Sequence, residues 1–252
     1  MTGRFDLTDH VALVTGGNSG IGLGMARGLT EAGARVCIWG TNAERNAEAV
    51  AQLGEGASAM QVDVSDERQV VDATAKVVAE HGRLDSCFAN AGIATERIPL
   101  VKTTLEDFHR VTRINLDGAF ITLREAARHM IDLGNGGSLV ATSSLAVRMG
   151  QAGGYAYAAS KGALIPMVQA LAVELARHGI RANALLPGWT EARLTEGAFA
   201  DEKFVRNVMP RMPVRRWGTG DDYAGIAVYL ASQASSFHTG DSILIDGGYA
   251  QF

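Results

Sequence analysis

Cysteine is scarce. Cys37 and Cys87 are the only two in 252 residues, each inside an apolar run with no metal-ligand spacing around it. Both are expected to be small buried hydrophobes, and no metal site is expected. A charge excess of either sign is lacking as well: the formal net charge is −4, which leaves no electrostatic footprint for a nucleic acid or an anionic membrane. No uninterrupted apolar run approaches ~18 residues, and the opening MTGRFDLTDH has no apolar core of a secretory signal. The expectation is therefore a cytoplasmic protein without a nucleic-acid or membrane partner. Linkers rich in Pro, Gly or Ser, internal repeats and charge blocks are also missing, so residues 1–252 read as a single domain.

What is present is regular. Hydrophobic residues make up 47% and charged residues 20%, enough apolar surface for a large core. Short apolar runs, VALVT (11–15), RVCIW (35–39) and SAMQV (58–62), are each followed by a helical pattern, beginning near Ile21, Asn42 and Asp66. LDSCFAN (84–90), GSLVATS (137–143), IRANALL (180–186) and SILI (242–245) continue the series. Near-continuous apolar strands alternating with helices indicate a parallel sheet covered on both faces. Right-handed crossovers make it an α/β, doubly wound, Rossmann-like sheet of about seven strands flanked by helices.

The first strand runs into TGGNSGIG, residues 15–22. Glycines at 16, 20 and 22 permit a tight turn and close approach to a pyrophosphate, whose charge a helix N-terminus favours. An ordinary glycine-rich loop has the same composition, and the spacing differs by one residue from the usual dinucleotide fingerprint. Its position after strand one favours the nucleotide. Asp63, in QVDVSD, falls at a strand end where its carboxylate can accept from an adenine amino group. Asp63 or Ser65 can equally cap the next helix. ANAG (89–92) ends strand four with small residues, suited either to a ligand's approach or to a tight turn.

GGYAYAASKGAL, residues 153–164, holds two tyrosines and one lysine. Helical side chains four apart share a face, so Tyr157 rather than Tyr155 can meet Lys161. With TGGNSGIG, ANAG and YAASK in order, the chain resembles the classical short-chain dehydrogenase/reductase family. Asn115 in RINLDGAF, Ser144 in ATSSLAV, Pro187 and Gly188 in LLPGW and the closing SILIDGG extend the match over nearly the whole sequence.

The resemblance implies an NAD(P)(H)-dependent oxidoreductase that interconverts a ketone and a secondary alcohol, with a catalytic Asn115–Ser144–Tyr157–Lys161 group. The family's serine lies thirteen residues before its tyrosine, which selects Ser144 over Ser143. Tyr157 is then the acid/base, its pKa lowered from ~10 by the lysine one turn away and by the oxidised nicotinamide. Ser144 polarises the carbonyl, Lys161 also holds the nicotinamide ribose, and Asn115 anchors a water chain to Lys161. Tyr155 is left as a pocket wall or packing. Cofactor contacts are expected from Gly16, Asn18, Ser19, Gly20, Ile21 and Gly22, from Thr41 and Asn42, from Asp63 and Val64, and from Asn90, Ala91 and Gly92. Tyr157, Lys161, Pro187, Gly188 and Thr190 complete the set, Thr190 standing in for a family threonine replaced here by Ala192. Gly40 stands where NAD-using relatives often carry aspartate, which points to NADP, with Thr41, Asn42 and Arg45 as candidate contacts to its 2′-phosphate. Asn18 and Ser19, in place of an arginine or lysine, keep NAD open.

Segment 189–213 corresponds to a substrate lid and offers Trp189, Leu194, Phe199, Phe204, Val208 and Met209 to an apolar pocket. The rival activity is a 3-oxoacyl-carrier-protein (or -CoA) reductase, which would need basic residues near the cleft. After Arg128 the sequence HMIDLGNGG has none, and only Arg177 and His178 end the next helix. A silent nucleotide-binding scaffold is a further alternative, disfavoured because all four catalytic residues are present. The resemblance also implies a homotetramer paired through helices at about 104–133 and 154–178 and through the C-terminal strand.

Overall fold

A computed structural model describes residues 3–94 and 97–251. The seven strands form one parallel sheet in the order β3-β2-β1-β4-β5-β6-β7. They are β1 (Val11–Thr15), β2 (Arg35–Gly40), β3 (Ala57–Gln61), β4 (Ser86–Ala89), β5 (Gly137–Thr142), β6 (Ile180–Pro187) and β7 (Ser242–Ile245). The strand series read from the sequence is thus observed, with ends displaced by one or two residues. The chain winds outward in both directions from β1 and β4, and ligands bind such sheets beyond the strand C-termini at this reversal.

Alternation along each strand sends side chains to two separate cores. On one face Ala12, Val14, Val36 and Ile38 pack with Met25, Leu29, Ala49, Leu53 and Leu230. These come from α1 (Gly20–Glu31), α2 (Ala43–Leu53) and α9 (Ala224–Ala231). On the other, Leu13, Cys37, Trp39 and Cys87 pack with Val70, Leu123, Leu164 and Val168. Those helices are α3 (Glu67–His81), α5 (Gly118–Leu133) and α6 (Tyr155–Leu175). Both cysteines are buried thiols, as expected.

Polar side chains fix where helices begin. Asn42 caps α2 by accepting from Arg45 N at 2.8 Å. Asp66, not Asp63 or Ser65, caps α3 by accepting from Gln69 N at 3.1 Å. Thr104 and Asp107 form a capping box on α4 (Leu105–Thr112). The expected helix at about 104–133 is broken by a π-helical turn, Arg113–Asp117, between α4 and α5. Together with its 3₁₀ extension, α6 spans Tyr155–His178 and is long and apolar enough to cross a membrane by length and composition, a feature that uninterrupted apolar runs do not flag. In this fold its Leu164, Val168, Ala172 and Leu175 lie in the sheet core.

At the opposite end of the sheet from the strand C-termini, Asp85 is 6% exposed. It accepts from Val11 N at 2.8 Å, from Arg83 Nε and Nη2 at 2.8 Å each, and from Asn135 Nδ2 at 3.0 Å. Burial alone would raise its pKa, yet the hydrogen bonds from Arg83 and Val11 together with nearby charge outweigh it and hold the carboxyl below its ordinary value. A folded-state pKa below the unfolded one stabilises the protein above the unfolded value, and that contribution is lost as pH falls through the folded value. Asp85→Asn should therefore lower unfolding stability at pH 7 by about 2 kcal/mol. The gap to the unsubstituted protein should close as pH falls below ~3.9. Thermal unfolding across that range checks this, and a gap independent of pH would contradict it.

Candidate active site

The C-terminal ends of β1, β4, β5 and β6 open into a cavity of about 330 Å³. Its floor is the turn into α1. Ser19 is the N-cap of that helix and makes no side-chain cap bond, so the first-turn amides are left to an anionic ligand. A Cβ on Gly22 would strike the carbonyl of Gly16 and lie 2.6 Å from Asn90 Nδ2. Only glycine lets helix and loop close this tightly. Asn90 ties β4 to the loop, donating from Nδ2 to Thr15 O at 3.1 Å. Thr15 Oγ1 accepts from the amides of both Asn90 and Ala91 at 3.0 Å each. This narrow cradle fits a pyrophosphate.

The outer part of the cavity is lined by Thr41, Arg45, Asp63 and Val64. Asp63 is no helix cap; its Oδ1 accepts from Ser65 N at 2.9 Å and from Ser65 Oγ at 2.7 Å. Its other oxygen is left available to an adenine. Asn42, the N-cap of α2, spends its carboxamide oxygen on Arg45 N, and of the expected phosphate contacts Thr41 and Arg45 line the cavity.

Tyr157 and Lys161 stand one turn apart on α6, with Ser144 opposite at the end of β5, and all three line the cavity. Lys161 is 4% exposed, and its Nζ donates to Thr142 O at 2.7 Å. Burial pushes its pKa down to about 8. Burial also raises the Tyr157 phenol, while a hydrogen bond with Ser144 works against the rise. The expected lowering of Tyr157 by Lys161 is therefore not the outcome within the chain alone: desolvation of the phenol is the larger effect. Asn115 sits in the π-helical turn with its side chain fully buried. Its Oδ1 accepts from Ile93 N at 2.8 Å, and its Nδ2 donates to Ile93 O at 2.9 Å and to Ser160 Oγ at 3.2 Å. That carboxamide clamps the loop after β4 to the π-helical turn. Gly92 fits between Asn115 and Lys161; a Cβ there would lie 3.1 Å from Asn115 Oδ1 and 3.2 Å from Lys161 Nζ.

Gly16, Asn18, Ser19, Gly20, Ile21, Asn90, Ala91, Pro187 and Gly188 all line the same cavity. So does Thr190, but its hydroxyl is paired with Tyr223 Oη at 2.7 Å. Tyr155 is exposed and lines neither this cavity nor the next, which removes it as a pocket wall.

A second cavity of about 540 Å³ adjoins through Ser144, Tyr157, Pro187 and Gly188. Trp189, Leu194 and Phe204 line it as expected. Phe199 instead stacks on Trp217, with centroids 4.1 Å apart and planes 11° apart. Val208 packs with Leu145, Met212 and Tyr249. Sequence reasoning did not find Arg97, Gln151, Arg211 and Tyr249, which also line the cavity. Arg97 and Gln151 come from loops, Arg211 and Tyr249 from 3₁₀ turns, Arg211 within the expected lid; they are far apart in the chain and only the fold brings them to the cavity that Tyr157 lines.

Comparison with known proteins agrees with this geometry. A family model described as enoyl-(acyl carrier protein) reductase matches residues 16–250. The chain is 36% identical over 247 residues to gluconate 5-dehydrogenase of Gluconobacter oxydans (strain 621H), covering 97% of this chain and 96% of that one. It is 36% identical over 245 residues to a 3-oxoacyl-[acyl-carrier-protein] reductase of Chlamydia pneumoniae, covering 96% and 97%. The crystal structure of a gluconate 5-dehydrogenase from Burkholderia cenocepacia J2315 in complex with NADP and tartrate superposes with a TM-score of 0.93 at 37% identity, covering 99% and 98%.

If the cradle holds a dinucleotide, Gly22→Ala should weaken NADPH binding at least about tenfold in a fluorescence titration. Gly162→Ala, whose Cβ would meet nothing within 4 Å, is the control and should bind as before. Equal binding by both variants would remove the cradle.

Proposed function

The chain belongs to the short-chain dehydrogenase/reductase family, and from that premise we propose that Tyr157 is the acid/base of an NADP-dependent ketone/secondary-alcohol oxidoreductase acting on a carboxylate-bearing substrate. The observation that carries the chemistry is the meeting of Ser144 and Tyr157 on the wall shared by a nucleotide cradle and a second cavity, with Lys161 one helical turn from Tyr157 on the cradle side. When bound, the dinucleotide supplies hydride to a ketone or accepts it from a secondary alcohol. Gly16, Asn18, Ser19, Gly20, Ile21 and Gly22 would hold its phosphates, Thr41, Asp63 and Val64 its adenosine, and Pro187 and Gly188 the nicotinamide end. Ser144 hydrogen-bonds the substrate oxygen and polarises it. Tyr157 gives its proton to the developing alkoxide, or takes one from the alcohol in the reverse direction. Lys161, held on Thr142 O one helical turn from Tyr157, would also hold the nicotinamide ribose.

The substrate reading comes from the second cavity. Trp189, Leu194 and Phe204 give it the apolar wall foreseen from the sequence, Met149 extends that wall, and Arg97 and Arg211 add two guanidiniums. The guanidinium of Arg211 lies over the Tyr249 ring, 4.6 Å from its centroid. The carboxylate in the lining, Asp201, is engaged in capping α8 (Glu202–Val208) through Lys203 N at 2.9 Å. A carbon skeleton bearing a carboxylate suits such a pocket. The names of the gluconate-oxidising relatives, and the tartrate in one of them, support this choice. A cytoplasmic setting and a homotetramer belong to the same proposal. Half-exposed Phe120 on α5 and Val173, 84% exposed on α6, offer apolar surface to another copy.

Tyr157→Phe should cut turnover by about 10²–10⁴-fold while NADPH still binds; full turnover would remove Tyr157 from this role. Ser144→Ala deletes the hydrogen bond that opposes the rise of the phenol's pKa. The limb of the oxidation rate that climbs with pH should accordingly move to higher pH.

In a substrate panel, hydroxy acids should be turned over at least about tenfold more efficiently than their methyl esters, because only the acid pairs with a guanidinium. Preference for the esters would return the pocket to the apolar reading, and preference for an acyl thioester on a carrier protein would favour the reductase rival.

A further inference from the structure

The end of β2 carries more than a missing carboxylate. Gly40 does not have a positive φ, so backbone conformation does not demand glycine there. Space does. A Cβ at residue 40 would strike Asn18 Nδ2 and would lie 2.6 Å from Asn46 Oδ1 and 2.9 Å from Asn18 Cγ. The two carboxamides are locked to each other. Asn46 is 4% exposed, and its Nδ2 donates to Gly40 O at 3.0 Å and to Met60 O at 3.1 Å. Those partners are carbonyls and can only accept, so the nitrogen of Asn46 is fixed and its oxygen must face the other way. That oxygen accepts from Asn18 Nδ2 at 2.7 Å. The orientation of Asn18, on the phosphate loop, is thus dictated by a buried residue of α2 and by two strand carbonyls.

We propose that Asn18, Gly40 and Asn46 form an interlock that sets nucleotide choice at the adenosine 2′ position. The proposal rests on the dinucleotide reading above and adds its mechanism of selection. The paired amides fill the volume into which a side chain at residue 40 must project, so a carboxylate at the strand end, which would grip a ribose diol and repel a 2′-phosphate, must first displace Asn18 from Asn46. Arg45, half-buried on the same wall, is left as the charged group of α2 facing the cavity, an environment suited to phosphate. Asn18 and Asn46 are specificity-determining and positioning residues; neither touches the reacting atoms.

The test is a fluorescence titration of NADPH and NADH against the full chain and three variants, with thermal unfolding measured on each. Gly40→Ala adds a Cβ without charge and should weaken both nucleotides together, because it displaces Asn18 and with it the phosphate loop. Gly40→Asp alone should do the same and gain no affinity for NADH. In the background of Asn18→Ala and Asn46→Ala, Gly40→Asp should be accommodated, and the ratio of the NADH to the NADPH dissociation constant should fall at least about tenfold relative to the unsubstituted chain. The interlock is overturned if Gly40→Asp alone, folded as judged by its unfolding transition, moves the preference to NADH. It is also overturned if the triple variant folds and keeps the original ratio. Failure of the unsubstituted chain to bind either nucleotide would instead bring down the dinucleotide reading, and the interlock with it.

Discussion

A lysine taken out of water must find oxygen, and where it finds it decides the architecture of this site. The ammonium of Lys161 settles on the carbonyl of Thr142, the last residue of β5. The backbone carbonyl of Lys161 in turn accepts from the hydroxyl of Ser143, one residue further on, at 2.8 Å. These two bonds run in opposite directions between α6 and the end of β5, and they fix the helix in both rotation and height. Tyr157, one turn earlier, is carried to the wall of the cleft, and Ser144 is set opposite it. The tie is local, yet it needs the sheet to be there: β5 holds its register only because β4 and β6 flank it.

The same burial that makes the tie strong works on the chemistry from both sides. Desolvation penalises a charged lysine and a charged tyrosine alike, lowering the first pKa to about 8 and raising the second. Within the chain, the force that favours the tyrosinate is the hydrogen bond with Ser144. Ser144 therefore restrains the phenol, and in the proposed reaction it would polarise a substrate oxygen as well. That is a physical reason for a hydroxyl here rather than another small side chain such as the alanine at residue 141.

Much of this was legible in the sequence because it is periodic or local. The strands are apolar runs, and their C-terminal ends are where Gly16, Asp63, Asn90 and Pro187 fall; the i,i+4 rule separated Tyr157 from Tyr155. What the sequence does not show is the local duty of these side chains, because competition for a single polar group is not decided by composition. Asn42 has a carboxamide suited to a ribose or phosphate, but the first turn of α2 needs an acceptor and is nearer. Thr190 has the hydroxyl, but Tyr223 arrives from 33 residues away and takes it. Asn115 was recognised by its motif, while the π-helical turn that aims it at Ile93 leaves no mark in residue spacing. Arg97 and Arg211 were invisible for the simplest reason: only the fold brings them to the cavity that Tyr157 lines.

Net charge misleads in a similar way, since it sums what geometry keeps apart. The chain is anionic overall, at −4, and this excludes a broad basic surface. The cleft has the opposite character. Arg45 and Arg193 line the nucleotide end, and Arg97 and Arg211 line the far end, with Lys161 between them. Two aspartates share this lining, and each is engaged locally, Asp63 with Ser65 and Asp201 at the start of α8. A positively lined groove draws small anions inward, and screening at physiological salt confines its field to about 8 Å. A dinucleotide is small enough to enter that field, and the carboxylate-bearing substrate proposed above would be drawn by the same charges.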